Sequence, residues 1–204
     1  MEMRLAVFAS GEGSNLAAIL AAIESGALQA TVAVVLSDRP DCPALQRAEA
    51  HGIPSYGVSP ADFPNKAAFE TALVAHARRW QANFAVLAGY LRICGPTLRG
   101  AFVGQMINLH PALLPAFPGL DAVGQALAAG VRVSGCTVHL VDEGVDTGPI
   151  IAQQAVPVLQ SDDVDRLRAR IHEVEHRLLP TVLQWFAEDR VHINGRHVFV
   201  EGLP

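Results

Sequence analysis

Leu5-Ala-Val-Phe-Ala-Ser10-Gly-Glu-Gly-Ser-Asn15 is the stretch on which the fold turns. Its first half is a short continuous apolar run, as expected of a strand covered on both faces. Its second half is a glycine-rich turn, and Leu16, Ile19, Leu20 and Ile23 follow at the i, i+3, i+4, i+7 spacing of one helix face. Strand, tight turn and helix in that order open a βαβ unit. The pattern recurs. Thr31 to Leu36 reads as a second buried strand, 43–51 as a short helix closed by Gly52, 53–58 as a third strand, 65–80 as a helix and Phe84 to Ala88 as the next strand. Such alternation predicts an α/β fold with a mostly parallel, doubly wound sheet, Rossmann-like in layout.

Beyond residue 100 the pattern is less regular. Gln105 to His110, Cys136 to Asp142 and Pro149 to Val158 read as strands, separated by the proline-rich stretch Pro111-Ala-Leu-Leu-Pro-Ala-Phe-Pro-Gly119. A helix from about Asp162 to Glu188 carries Val164, Leu167, Ile171, Val174, Leu178, Val182 and Trp185 as its inner stripe, with Pro180 expected to kink or interrupt it. Val191 to Val198 reads as a C-terminal β-hairpin turning at Asn194-Gly195, a pair suited to a type I′ turn. At 204 residues, half of them apolar, the chain is expected to form a single domain over 1–204.

Charge and cysteine usage narrow the function. Fifteen Lys and Arg stand against 20 Asp and Glu, and no basic run exceeds Arg78-Arg79, so there is no electrostatic footprint for nucleic acid. An anionic substrate must then be held by a local site. Three well-separated cysteines, Cys42, Cys94 and Cys136, suit neither a disulfide framework nor a zinc site, which points to a reducing, cytoplasmic compartment. No apolar run reaches the ~18–20 residues of a membrane helix.

Three clusters can carry chemistry. At Ser10 to Asn15 two glycines at a strand-to-helix junction let backbone N–H groups face an anion at the helix N-terminus. The same residues equally suit a plain turn with Ser14 or Asn15 as helix N-cap, and both can hold together. In Asn108-Leu-His110, residues i and i+2 of a strand share a side, so carboxamide and imidazole would converge at the strand's end before Pro111; a hydrogen-bonded structural pair has the same spacing. In Asp142-Glu-Gly-Val-Asp-Thr-Gly-Pro149, one acid could orient His110, but spacing does not choose which. No serine elbow and no cysteine beside a base suggests covalent catalysis. His139 is taken as a packing residue.

Together, in order, Ser-Gly-x-Gly-Ser-Asn, Asn-Leu-His-Pro-x-Leu-Leu-Pro and Asp-x-Gly-x-Asp-x-Gly-Pro closely resemble the folate-dependent phosphoribosylglycinamide (glycinamide ribonucleotide) formyltransferases, over Met3 to about Phe186. The resemblance implies direct transfer of formyl from 10-formyltetrahydrofolate, a co-substrate, to the amine of glycinamide ribonucleotide in purine biosynthesis, without a metal. It places the catalytic trio on Asn108, His110 and Asp146, and the ribonucleotide phosphate on Gly13, Ser14 and Asn15. Glu175 falls at the ribose contact, and Lys66, Tyr90, Leu91, Arg92, Ile93 and Asn108 at the folate. It also implies a cis Leu114-Pro115 bond, partners limited to the two small molecules, no nucleic acid or membrane, and leaves room for a homodimer. The nearest rivals, formyltetrahydrofolate hydrolase and methionyl-tRNA formyltransferase, usually carry an added N-terminal or C-terminal domain. One departure stands out: where the family usually has His and then Arg three residues on, this chain has Asp121 and Gly124. Asp121 is expected to face solvent and cap the helix bearing Val123, Ala126 and Leu127.

Overall fold

The computed structural model describes residues 2–203. Seven strands follow one hydrogen-bonded order, β3-β2-β1-β4-β5-β6-β7: β1 Met3–Phe8, β2 Ala30–Ser37, β3 Ser55–Gly57, β4 Phe84–Leu87, β5 Met106–His110, β6 Val133–Leu140 and β7 Ile150–Pro157. β1 pairs in parallel with β2 and β4, and β2 with β3, whereas β6 and β7 are antiparallel. The sheet is thus mixed and mostly parallel, as the alternating pattern requires. Its contacts cluster into two compact units, 1–107 and 108–204.

In the first unit, Leu5, Ala6, Val7 and Phe8 have no exposed surface, which is what a strand covered on both faces demands. Helices α1 Ser14–Glu24, α2 Pro43–Ala50 and α3 Lys66–Arg79 supply the cover. Leu16 and Ile19 are fully buried from α1, and Leu73 and Ala77 from α3. Two short elements escaped the periodicity reading: a 3-10 turn at Pro60–Asp62 and α4 Pro96–Ala101. Neither is long enough to display a face.

In the second unit, α6 Val164–Ala187 packs on β6 and β7, and α5 Ala122–Ala128 packs against α6. Three expectations are corrected there. Helix α6 is not interrupted at Pro180, which is buried within it. Next to it the Thr181 hydroxyl donates to the Arg177 carbonyl. The inner stripe also drifts by one residue in the helix's second half, so Leu179 and Leu183 are buried while Leu178 and Trp185 are half-exposed. The C-terminal hairpin, β8 Val191–Asn194 and β9 His197–Val200, pairs Asn194 with His197, so the turn is Gly195-Arg196. Only Gly195 of that pair has positive φ, which is the type II′ rather than the type I′ pattern.

Candidate active site

β5 ends at His110, the residue before Pro111, and Asn108 and His110 project to the same side, as the i, i+2 spacing predicts. Leu109 turns the other way and is buried. Both polar side chains meet Asp146. Asn108 Nδ2 donates to Asp146 Oδ1 over 3.2 Å, and His110 Nδ1 lies 3.3 Å from Asp146 Oδ2.

The acidic loop explains itself residue by residue. Asp142 Oδ1 accepts the Gly144 N–H at 3.0 Å and the Thr147 hydroxyl at 2.6 Å, folding the turn on itself. Gly148 closes it: a Cβ there would stand 1.7 Å from the Leu140 carbonyl oxygen, so no other residue fits. Asp142 is therefore occupied by its own turn and Glu143 is exposed. Asp146 is left with its carboxylate facing Asn108 and His110, held at φ 54. A non-glycine residue in the left-handed region stores strain of ~1–3 kcal/mol, a cost concentrated at functional sites.

The proline-rich stretch supplies the third wall. Thr137 of β6 pins it: its hydroxyl donates to the Ala112 carbonyl at 2.7 Å and accepts the Leu114 N–H at 3.0 Å. Gln153 of β7 adds a bond to the Leu114 carbonyl at 2.9 Å. The Leu114-Pro115 bond is cis, as the resemblance implies. Phe117, at φ 55, aims its carbonyl at His110 Nε2, 2.8 Å away, and the Gly119 N–H reaches Asp146 Oδ2 at 2.7 Å.

A residue taken as packing belongs to this cluster. His139 of β6 is buried, with Nε2 3.1 Å from Asn108 Nδ2 and 3.5 Å from Asp146 Oδ1. Its Nδ1 lies 2.8 Å from the Leu140 carbonyl, an acceptor only, so Nδ1 carries the proton. The one available signal was its place two residues after Thr137 on the same strand.

Electrostatics set the protonation states. Burial pushes the Asp146 carboxyl up, but the adjoining His139 ring, the Gly119 N–H and the nearby His110 together hold it below its ordinary value. It is ionised at neutral pH. His110 is lowered, chiefly by burial, against the raising effects of the Phe117 carbonyl and of Asp146. The Asp146 carboxylate raises the basicity of His110 but does not overcome desolvation. Since a carbonyl can only accept, Nε2 of His110 bears a hydrogen, and Nδ1 faces a carboxylate ready to balance a second proton.

In the first unit, α1 begins after Gly13, its N-cap at φ 72, without side-chain capping. Neither Ser14 nor Asn15 caps the helix. A Cβ on Gly13 would come within 2.8 Å of the Ala44 Cβ, so the turn is tight against α2. Lys66 opens α3 behind the N-cap Asn65, and Tyr90 to Ile93 follow β4. Tyr90 packs edge-on against Phe8, and Arg92 lies over Phe69 with its guanidinium carbon 5.5 Å from the ring centroid. Leu91 and Ile93 are exposed. In the second unit Glu175 is buried on α6, 3.8 Å from His172 Nε2.

A doubly wound chain ending its fifth strand in a carboxamide, imidazole and carboxylate cluster has the layout of a formyl-transfer enzyme, and the model of the formyl transferase family matches residues 3–183. The phosphoribosylglycinamide formyltransferase of Bacillus subtilis is 48% identical over 89% of this chain and 93% of its own length. The Escherichia coli enzyme of that name is 35% identical over 98% and 94%. The glycinamide ribonucleotide transformylase 1 of Symbiobacterium toebii superposes with a TM-score of 0.96 at 46% identity, covering 98% of this chain and 94% of its own. A formyltetrahydrofolate deformylase of Pseudomonas syringae shares the fold at 31% identity and a TM-score of 0.90, over 66% of its length. The chain belongs to the phosphoribosylglycinamide formyltransferase family.

Proposed function

We infer that this chain transfers the formyl group of 10-formyltetrahydrofolate to the amine of glycinamide ribonucleotide, a one-carbon step of purine biosynthesis. Support comes above all from the convergence of Asn108, His110 and Asp146 in a chain of this family. The amine nitrogen attacks the formyl carbon and forms the new C–N bond. The resulting oxyanion needs donors, the Asn108 amide and the Nε2–H of His110. In the structure both donors rest on stand-in acceptors, Asn108 on Asp146 and His110 on the Phe117 carbonyl. Substrate would exchange those partners for the oxyanion, as catalytic hydrogen bonds often tighten only in the reacting complex. Collapse breaks the bond from the formyl carbon to N10 of the folate, and the proton lost by the amine passes to N10. Asp146, kept ionised, would hold the carrying water and balance positive charge on His110.

The remaining assignments belong to the same reading. Backbone N–H groups of Gly13, Ser14 and Asn15 at the start of the 11-residue α1 would hold the phosphate. Glu175 would meet the ribose, and Lys66 with Tyr90, Leu91, Arg92 and Ile93 the folate. The chain would act as one formyltransferase domain over 1–204, a view favoured by a family match that runs through both units. It would work in the cytoplasm on small molecules, without nucleic acid, membrane or metal and with a homodimer allowed. No helix among the described residues is long and apolar enough to cross a membrane. The test offers 10-formyltetrahydrofolate with three acceptors, glycinamide ribonucleotide, water and methionyl-tRNA. Formylated ribonucleotide should dominate; release of free formate without it would favour the deformylase chemistry of the Pseudomonas syringae relative.

A further inference from the structure

Glu70 is a carboxylate that the transfer chemistry does not use, yet it is only 2% exposed. A carboxylate is kept from water only where hydrogen bonds and a counter-charge replace its hydration. Glu70 has both. It accepts the N–H groups of Gly95 and, at 3.1 Å, of Leu98, one on each oxygen. Lys66 Nζ stands 4.0 Å from Oε1, one turn earlier on the same helix. Gly95 is the N-cap and Leu98 the third residue of α4, whose opening Pro96 has no N–H to offer. Other helix caps in this chain, Asn65, Asp121 and Asp163, are short side chains adjoining their own helix. Glu70 instead reaches across from α3 to a segment 25 positions further on.

That segment directly follows Tyr90 to Ile93. The same helix face holds it at a second point, where Phe69 lies beneath Arg92. Its other end is tied by the Leu91 N–H, which donates to the Ser10 hydroxyl at 3.0 Å. The 90–95 segment is thus fixed at both ends, and at the α3 end one carboxylate serves the segment and Lys66 together. We propose that Glu70 is a positioning residue for folate binding: it sets Lys66 and the backbone after Ile93 in one fixed relation through its two oxygens. This rests on the reading that Lys66 and Tyr90–Ile93 meet the folate.

The test compares steady-state constants of Glu70→Gln and Glu70→Asp with wild type, beside Arg92→Ala as a probe of the folate reading itself. A glutamine keeps the length but offers one acceptor oxygen, and its NH2 would face an N–H donor. Glu70→Gln should raise the KM for 10-formyltetrahydrofolate about ten- to a hundred-fold, the scale on which small misplacements act. The KM for glycinamide ribonucleotide should stay within about twofold. Glu70→Asp, which keeps the charge, should recover part of the loss. Amide exchange at 90–98 should quicken in Glu70→Gln; if that variant does not fold, the same KM split and faster exchange are read in Glu70→Asp. A lowered melting temperature with both KM values unchanged, or raised equally, would reduce Glu70 to a structural cap and overturn the proposal. If Arg92→Ala also leaves the folate KM unchanged, the folate reading fails; if Arg92→Ala raises it and the Glu70 variants do not, only the positioning role fails.

Discussion

Asn108, His110, Asp146 and His139 form one hydrogen-bonded set in which each group fixes the state of the next. Removing the Asn108 amide should therefore affect the rate more than the fold. Asn108→Ala is expected to lower kcat by about 10²–10³, the ~2.7–4 kcal/mol of one oxyanion donor. Equal kcat in the variant would show that the amide serves only to hold Asp146 and His139. The Asn108 and His110 pair was legible because a period of two residues on a strand leaves little choice of side. Asp146 was not distinguishable from Asp142 by spacing, since what separates them is a turn that occupies Asp142 Oδ1. His139 was illegible for a different reason: a histidine within an apolar strand looks the same whether it packs or works.

Helices and turns show how far periodicity carries. It located α1, α3 and α6 because each buries a face, but the exact stripe of α6 drifts once the helix has run several turns. The hairpin was correctly placed, while its turn slipped by one residue, a matter of local φ that a dipeptide preference does not fix. At α5 the departure from the family pattern forms a matched pair. Asp121, exposed and at φ 55, caps the helix by accepting the Gly124 N–H at 3.3 Å. A Cβ at position 124 would fall 2.3 Å from Asp121 Oδ2, so the cap needs glycine there. Asp121→Ala should cost about 0.5–2 kcal/mol of stability in thermal or urea unfolding, with ribonucleotide affinity unchanged. A large change in affinity at unaltered stability would instead make Asp121 a substrate contact.

Across the whole chain, the mixed, mostly parallel sheet follows from buried strands alternating with amphipathic helices, and relatives covering nearly all of it share the fold. Stability should carry the signature of its histidines. Burial comes first among the causes that lower His76, His110, His172 and His176 below their ordinary value. The unfolded chain then binds more protons than the folded one as pH drops through about 6.5, so stability is full above that point and is lost below it. The melting temperature should stay level from about pH 8 to about pH 7 and fall from there to about pH 5.5; a profile flat or rising over that lower range would mean that those rings are not held neutral by the fold. The central claim, that an ionised Asp146 drives direct formyl transfer, is met most directly by the turnover of Asp146→Asn with 10-formyltetrahydrofolate and glycinamide ribonucleotide both saturating. The variant should fold and bind both substrates while kcat falls by two or more orders of magnitude, about the scale of general acid–base assistance. Wild-type kcat in that variant would contradict the account.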